Sequence, residues 1–414
     1  MNSSALFANY FRHEYGRTVA ILANRVGLRH LQAIEDAVQS ALLSALEVWS
    51  ASGQPDNPSA WIYQVAKNNV LEELRKHDRY AQLLDQIPVE YLHQHASAPD
   101  AALSDDITDE LLRMLFACCD GAISTESQLV LALKTLCGFS VSEIAPRLFT
   151  TEEAIYKRLK RALTRLREKK VDSRALDNGN ISARLSSVQK ILYLMFTEGY
   201  LSVTGDFSIR RDLCNEAIRL TSLLANHSFG STPKTCALLA LMHLHRARVG
   251  ARHDGSGGLL LLEEQDRKQW DQSEIGIGIS WLEESACGDE FSRFHAEAGI
   301  AAEHCISISY TTTNWQRIIE CYELLEASMQ SPIHTLNRAV ALAELNGPEA
   351  GLALLQDINP PPWLQNSFLW VAVMADLQTR CGNAKVAKQY CTEALENAPS
   401  TAIKAMLQRR FTGS

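Results

Sequence analysis

Ser140–Lys170, SVSEIAPRLFTTEEAIYKRLKRALTRLREKK, is the stretch from which the rest of the chain can be read. Ser140 followed three residues later by Glu143 is a capping box, which predicts a short helix from Val141 through Ile144 toward Leu148. Pro146 falls inside that helix, where it removes a backbone donor and is expected to kink it. A break follows at Phe149 and Thr150, and Thr151 then caps a second helix. Glu152 and Glu153 occupy its first turn, where the positive end of the helix dipole favours acids. Ile155, Leu159, Ala162, Leu163 and Leu166 recur at i, i+4, i+7, i+8 and i+11, one apolar stripe. The pair reads as a helix-turn-helix.

The opposite face of the second helix is basic. From Ile155 to Lys170 there are eight Lys or Arg against one acid, Glu168, in a chain of formal charge -8. A concentrated positive stripe on an acidic protein points to a polyanion, and DNA phosphate is the simplest one. In such a motif the second helix enters the major groove by its N-terminal residues. That geometry turns Tyr156, Lys157, Lys160 and Arg161 toward DNA. Arg165, Arg167, Lys169 and Lys170 lie further along, where phosphate or another protein surface would meet them. The alternative is a solvated basic face on a structural helix.

The 414 residues are too many for one ordinary domain, and two to three are expected. With 46% hydrophobic and 21% charged residues the composition is that of a soluble globular protein. No apolar run reaches membrane-spanning length, and MNSSALFANYFRHEYGR lacks the apolar core of a signal peptide, so a cytoplasmic location without membrane partners is expected. Ten scattered cysteines without a C-x-x-C pair indicate neither a disulfide scaffold nor a zinc knuckle, and Cys118 and Cys119 read as packed reduced thiols. Pro and Gly are few and alternating β-branched runs are nearly absent, which predicts an all-α fold. His243 and His245, or His295 and His304 near Glu297 and Glu303, lack the spacing of a metal site. The glycine-rich DGSGGLL at 254–260 lacks the Lys and Ser or Thr of a phosphate loop. No catalytic residue, metal or cofactor is therefore expected.

Upstream, Ile34, Ala37, Val38, Ala41, Leu42, Ala45, Leu46 and Trp49 form a long amphipathic stripe, with Glu35, Asp36, Gln39 and Ser40 outside. A loop is predicted over 50–58, SASGQPDNP, with Asn57 capping and Pro58 opening the next helix. That helix interleaves Trp61, Ile62, Val65, Val70 and Leu74 with Lys67, Asn68, Asn69, Arg75, Lys76 and Arg79. Aromatic faces beside amides and cations suit single-stranded DNA, although Trp61 and Tyr63 at helical spacing also suit a core.

IEDAVQSALLSALEVW, a Pro-containing loop and PSAWIYQVAKNNVLEELRK resemble region two of the extracytoplasmic-function sigma factors, and IYKRLKRALTRLR resembles their region four. The resemblance implies a partner, core RNA polymerase, met at the clamp helices of its largest subunit by Glu35, Asp36 and Gln39, and at the flap. It implies that the loop from Gly53 to Asn57, with Trp61, Lys67, Asn68, Arg75 and Lys76, holds the melted -10 strand of promoter DNA, and that Tyr156, Lys157, Lys160 and Arg161 read the -35 element. Tyr156 stands where a basic residue is common in the family, and Glu72 where Asp is usual. Between the two regions, Asp85–Glu126 holds nine acids and one base, Arg113. In the resemblance part of this segment would lie along the RNA path as a nucleic-acid mimic; equally it is a solvated linker leading to a helix cap at Asp109.

The expected organisation is region two over 1–80, an acidic linker over 81–107, region four over 108–175 and a helical extension over 180–414. In that extension SSVQKILYLMFTEGYLS, LCNEAIRLTSLLANH, TPKTCALLALMHLHRARVGAR, GLLLLEEQDRKQWD and FSRFHAEAGIAAEHCIS all read as helices. Ala341 and Ala375 are 34 residues apart, as are Leu345 and Thr379, close to a tetratricopeptide period. Such pairs stack into a concave surface for a protein partner. A long-tailed subgroup of these sigma factors ends in this way. The rival expectation is a conventional helix-turn-helix regulator with a tetratricopeptide-like sensor, which leaves residues 34–76 unexplained.

Overall fold

The computed structural model describes residues 3–77, 101–148, 150–168, 178–201, 207–254, 258–288, 290–356, 358–365 and 367–412. Among the described residues the regular elements are α-helices and short 3-10 turns, with one isolated bridge between His253 and Leu259, so the fold is all-α. Two compact units divide the chain, Met1–Glu198 and Gly199–Ser414.

The first unit begins with α1 (Ser3–Val26), α2 (Leu31–Ser52) and α3 (Pro58–His77). Gly27, at φ 104°, ends the turn out of α1, and Gly53, at φ 82°, ends α2. Helix α2 runs past the predicted loop start at 50, and within its last turns the hydroxyls of Ser50 and Ser52 donate to the carbonyls of Glu47 and Val48 at 2.8 Å each. Asn57 caps α3 as expected, its Oδ1 accepting from the Ala60 amide at 3.0 Å.

Next come α4 (Ala101–Cys118), α5 (Thr125–Thr135), α6 (Val141–Arg147) and α7 (Glu152–Glu168). The predicted linker, 81–107, lies outside the described residues up to 100, and its last part is helix: α4 starts at Ala101, so Asp109 sits inside that helix instead of capping it. The capping box of α6 is complete, Ser140 Oγ accepting from the Glu143 amide at 3.2 Å and the Glu143 carboxylate from the Ser140 amide at 2.8 Å. Only Arg147 follows Pro146 before α6 ends, so no helical length remains to be kinked. Phe149, in the expected break, lies outside the described residues. Thr151 Oγ1 caps α7 by accepting from the Ala154 amide at 3.2 Å. Ile155, Leu159, Ala162 and Leu166 are buried; Leu163 is only half-buried, which narrows the predicted stripe.

The unit extends beyond the expected boundary at 180. In α8 (Asn178–Leu201), Arg184 pairs with the buried Asp120 at 2.6 Å and donates to the Phe116 carbonyl at 3.3 Å. Cys118 and Cys119 are fully buried, and burial pushes the Cys118 thiol up to about 12.

The second unit contains α9 (Phe207–Ala225), α10 (Pro233–Ala247), α11 (Gln272–Ser285), α12 (Arg293–Ile306), α13 (Trp315–Ser328), α14 (Pro332–Asn346), α15 (Pro348–Gln356), α16 (Pro362–Gln365), α17 (Phe368–Arg380), α18 (Ala384–Glu396) and α19 (Thr401–Thr412). Helix α10 is buried nearly all round, packing on α11 and α12. The pairs α14/α15 and α17/α18 are helical hairpins turned at Gly347 and Gly382, both at positive φ. Ala341 and Ala375 are buried at corresponding places, whereas Leu345 is exposed. The predicted helix over GLLLLEEQDRKQWD is not one. Leu259 bridges to His253, and two 3-10 turns follow, the second capped by Asp266 through the Lys268 amide at 3.0 Å. Ile403 and Leu407 of α19 share a core with Leu259, Leu336, Trp370 and Leu377.

In α1, Gly16 passes the end of α5 so closely that a Cβ there would collide with the Leu136 carbonyl. Replacing it by Ala forces backbone apart, since neither partner is a flexible side chain. Gly16→Ala is expected to lower the stability of the first unit by about 1–3 kcal/mol, read by urea unfolding of the full chain.

Candidate functional site

Two exposed faces of the first unit carry the candidate chemistry. On α7 the burial of Ile155, Leu159, Ala162 and Leu166 turns Tyr156, Lys157, Lys160 and Arg161 together into solvent, as the sequence predicted. Tyr156 is 59% exposed, a large aromatic ring left in solvent. Lys157 pairs with Glu153 one turn earlier at 2.6 Å, both side chains exposed, a contact of a few tenths of a kcal/mol that phosphate could displace. Arg158 is held on the inner side by Glu126 of α5 at 3.1 Å, and Arg165 by Glu168 at 3.1 Å. Lys169 and Lys170 lie outside the described residues.

On α2, Asp36, Gln39 and Ser40 are exposed. Glu35 is not: it is 7% exposed and turned into the unit, which corrects its placement on the outer, polymerase-facing side. Lys134 of α5 reaches it at 4.0 Å. Leu46 departs from the predicted core stripe and stands exposed with Leu43 and Val48. An apolar patch beside Asp36, Gln39 and Glu47 is the feature that sequence reasoning missed. Leu43 was its visible signal, falling on the polar face at i+7 from Asp36 and i+4 from Gln39.

The α3 residues are only partly brought together. Asn68 and Arg75 are exposed two turns apart, with Glu72 between them, and Lys67 is half-buried beside them. Trp61 is half-buried with its ring edge-on to Trp49, centroids 5.6 Å apart, so much of its face is committed to packing. Asn57 spends its side-chain oxygen on the α3 cap. Tyr63 is core, its hydroxyl accepting from Arg25 at 2.9 Å. The Lys76 side chain lies outside the described residues. Asn69 ties α3 to α2 through the Ala37 carbonyl at 3.5 Å.

Between these faces lies a cavity of about 530 Å³ lined by Arg29, His30, Asp36, Asn69, Glu73 and, from α7, Arg167. Burial, then the Arg29 and Arg167 charges, lower the His30 pKa. Glu35 behaves in the opposite sense: burial pushes its carboxyl up to about 7 against the pull of the Lys134 ammonium. Among the described residues no three His, Cys, Asp or Glu side chains converge as metal ligands. His243 is bonded to Glu274 at 2.8 Å, and His295 caps α12 through Ser292 at 2.8 Å. No described helix is long and apolar enough to cross a membrane.

Comparison with known families matches residues 11–80 to sigma-70 region 2, the part that forms most of α1 and all of α2 and α3. The ECF RNA polymerase sigma factor SigL of Mycobacterium tuberculosis is 28% identical over 134 residues, 32% of this chain and 72% of that protein. The region 2 match falls in the N-terminal part of the chain, and the two matches together support a sigma-70-type region there. Over nearly its whole length the chain belongs with uncharacterized protein R00370 of Rhizobium meliloti, 31% identical over 388 residues, 92% of this chain and 90% of that one. Residues 184–286 match a family of unknown function, DUF6596. No solved structure matches.

The raised carboxyl of Glu35 sets a pH dependence. From about pH 4.5, the ordinary carboxyl value, to about pH 7 the folded chain holds a proton that the unfolded chain has released. Stability therefore falls as pH rises through that window, by about 3 kcal/mol for this group. Thermal unfolding of the full chain at pH 5 and pH 8 is expected to show the loss in the parent and a smaller one in Glu35→Gln; equal losses would remove Glu35 from the account.

Proposed function

We propose that the chain is a sigma factor of the extracytoplasmic-function type, which binds core RNA polymerase, directs it to particular promoters and helps open the -10 region. The observation that carries this reading is the combination, in one unit, of a sigma-70 region 2 with an exposed basic helix behind a capped short one. The exposed face of α2, with Asp36, Gln39, Leu43 and Leu46, has the mixed apolar and acidic character that suits the clamp helices of the polymerase. Tyr156, Lys157, Lys160 and Arg161 read the -35 element, and the polymerase flap takes the same region. Lys67, Asn68, Arg75 and Lys76 hold the opened strand, with Asn57 and Trp61 shaping the loop and helix beneath it. Melting a base out of the duplex costs roughly a few kcal/mol, which contacts to the displaced strand offset.

The second unit is, in this reading, a tetratricopeptide-like extension that regulates the first and offers a surface to a protein partner. Its support is the succession of helical hairpins with glycine turns and the buried alanines 34 residues apart. The protein acts in the cytoplasm and catalyses no reaction of its own.

Run-off transcription with purified core polymerase tests the reading, on promoters upstream of the chain's own gene and its neighbours. A transcript that requires the full chain supports it; none, with salt-sensitive DNA binding in the absence of polymerase, identifies a conventional regulator. Arg161→Ala is expected to lower promoter-specific transcription about 5- to 100-fold while core binding persists. A chain ending at Glu198, the edge of the first unit, then reads the effect of the extension: unchanged transcription would remove its regulatory role.

A further inference from the structure

In the second unit a cavity of about 420 Å³ opens among the 261–263 turn, α13, α14, α17 and α19, with His304 of α12 at its wall. That is the size of a small-molecule site. Its walls are aromatic: Tyr310, Trp315, Tyr322, Phe368 and Phe411. None of the roles given above to the chain uses it.

His304 at its wall is a buried, neutral imidazole, its pKa pushed down to about 3 by burial and by the Arg248 and Arg267 charges. The polar feature of this cavity is charge. Glu263, Glu344 and Asp376 line the cavity with Arg410. Arg410 holds Asp376 at 2.7 Å and also Glu263; Arg380 bridges Glu344 at 2.6 Å and Asp376 at 3.5 Å. Three carboxylates thus share two guanidiniums, which leaves one negative charge in surplus against an apolar wall. The Glu263 carboxyl responds by holding its proton more tightly, chiefly through burial and then, against Arg410, through the neighbouring acids.

We propose that this cavity binds a small aromatic amine, its ring against the aromatic walls and its ammonium group among Glu263, Glu344 and Asp376. An ammonium balances the three acids, whereas a carboxylate ligand would add a fourth negative charge to the same wall. Aromatic rings give such a cation further attraction.

The test uses calorimetric titration of the full chain with tryptamine, indole and indole-3-acetate, three probes with one ring and different charge. Tryptamine is expected to bind saturably at one site, at least about tenfold more tightly than indole-3-acetate. Ala372→Phe, which places a ring in the cavity, is expected to abolish that binding, with folding checked by circular dichroism. Glu344→Gln, at a half-exposed position, is expected to weaken tryptamine about tenfold and to narrow its advantage over the acid; it decides the matter if the Phe variant does not fold. Absence of saturable tryptamine binding, equal affinity for the acid, or binding indifferent to both variants would overturn the proposal. No polymerase enters this measurement, so its failure leaves the sigma-factor reading standing.

Discussion

The first unit depends on α1 being packed from two sides. It touches α2 and α3 on one side of the unit and α4 and α5 on another, and nearly every residue from Tyr15 to Ala23 is buried. A helix buried all round cannot carry an apolar stripe alone, and its polar groups must find partners. Glu14 has Arg17 at 3.4 Å, and Asn24 donates to the Glu110 carbonyl at 3.3 Å and to its carboxylate. Gly16 is where the approach is tightest, against the Leu136 carbonyl. Because α1 serves both halves, the region matched to sigma-70 region 2 and the α4–α7 helices share one core.

That shared core decides which faces remain for function. Glu35 is drawn inward to Lys134, and α2 turns Leu43, Leu46 and Val48 outward in its place. Apolar side chains left in water beside acids and amides are the surface that the proposed polymerase contact would cover. On α7 the same logic runs in a simpler form: four buried apolar residues point one way, and Tyr156, Lys157, Lys160 and Arg161 point the other. An inner cation, Arg158, is tied to Glu126 and stays out of that face.

The second unit is closed by its last helix. Arg409 and Arg410 of α19 reach back to Glu264 and Glu263, residues separated from them by 145 and 147 positions, and Ile403 and Leu407 enter the core around Trp370 and Leu377. Closure brings the 261–263 turn over α13, α14 and α17 and so encloses the aromatic cavity. Glu263 and Asp376, which hold Arg410 of α19, also line that cavity, which is how alignment of the chain and a local excess of negative charge come from the same residues.

The caps and stripes were legible in the sequence because their physics lies within one or two turns. Ser140 with Glu143, Thr151, and Asn57 before Pro58 all cap as their spacing predicted, and α7 presents the predicted face. What failed depended on distant partners or on competing local bonds. GLLLLEEQDRKQWD has helical composition, yet the bridge to His253 and the Asp266 cap hold it in short turns. Glu35 looked like one more outer acid until α5 supplied Lys134, and Leu46 looked like core until the packing of α2 left it outside. The sequence by itself determined an all-α chain with a basic amphipathic helix behind a capped short one, since periodicity and capping are short-range. Only the tertiary structure decided which acid is buried, which leucines are exposed and where a cavity lies, because each of these depends on surfaces contributed by residues far apart in the chain.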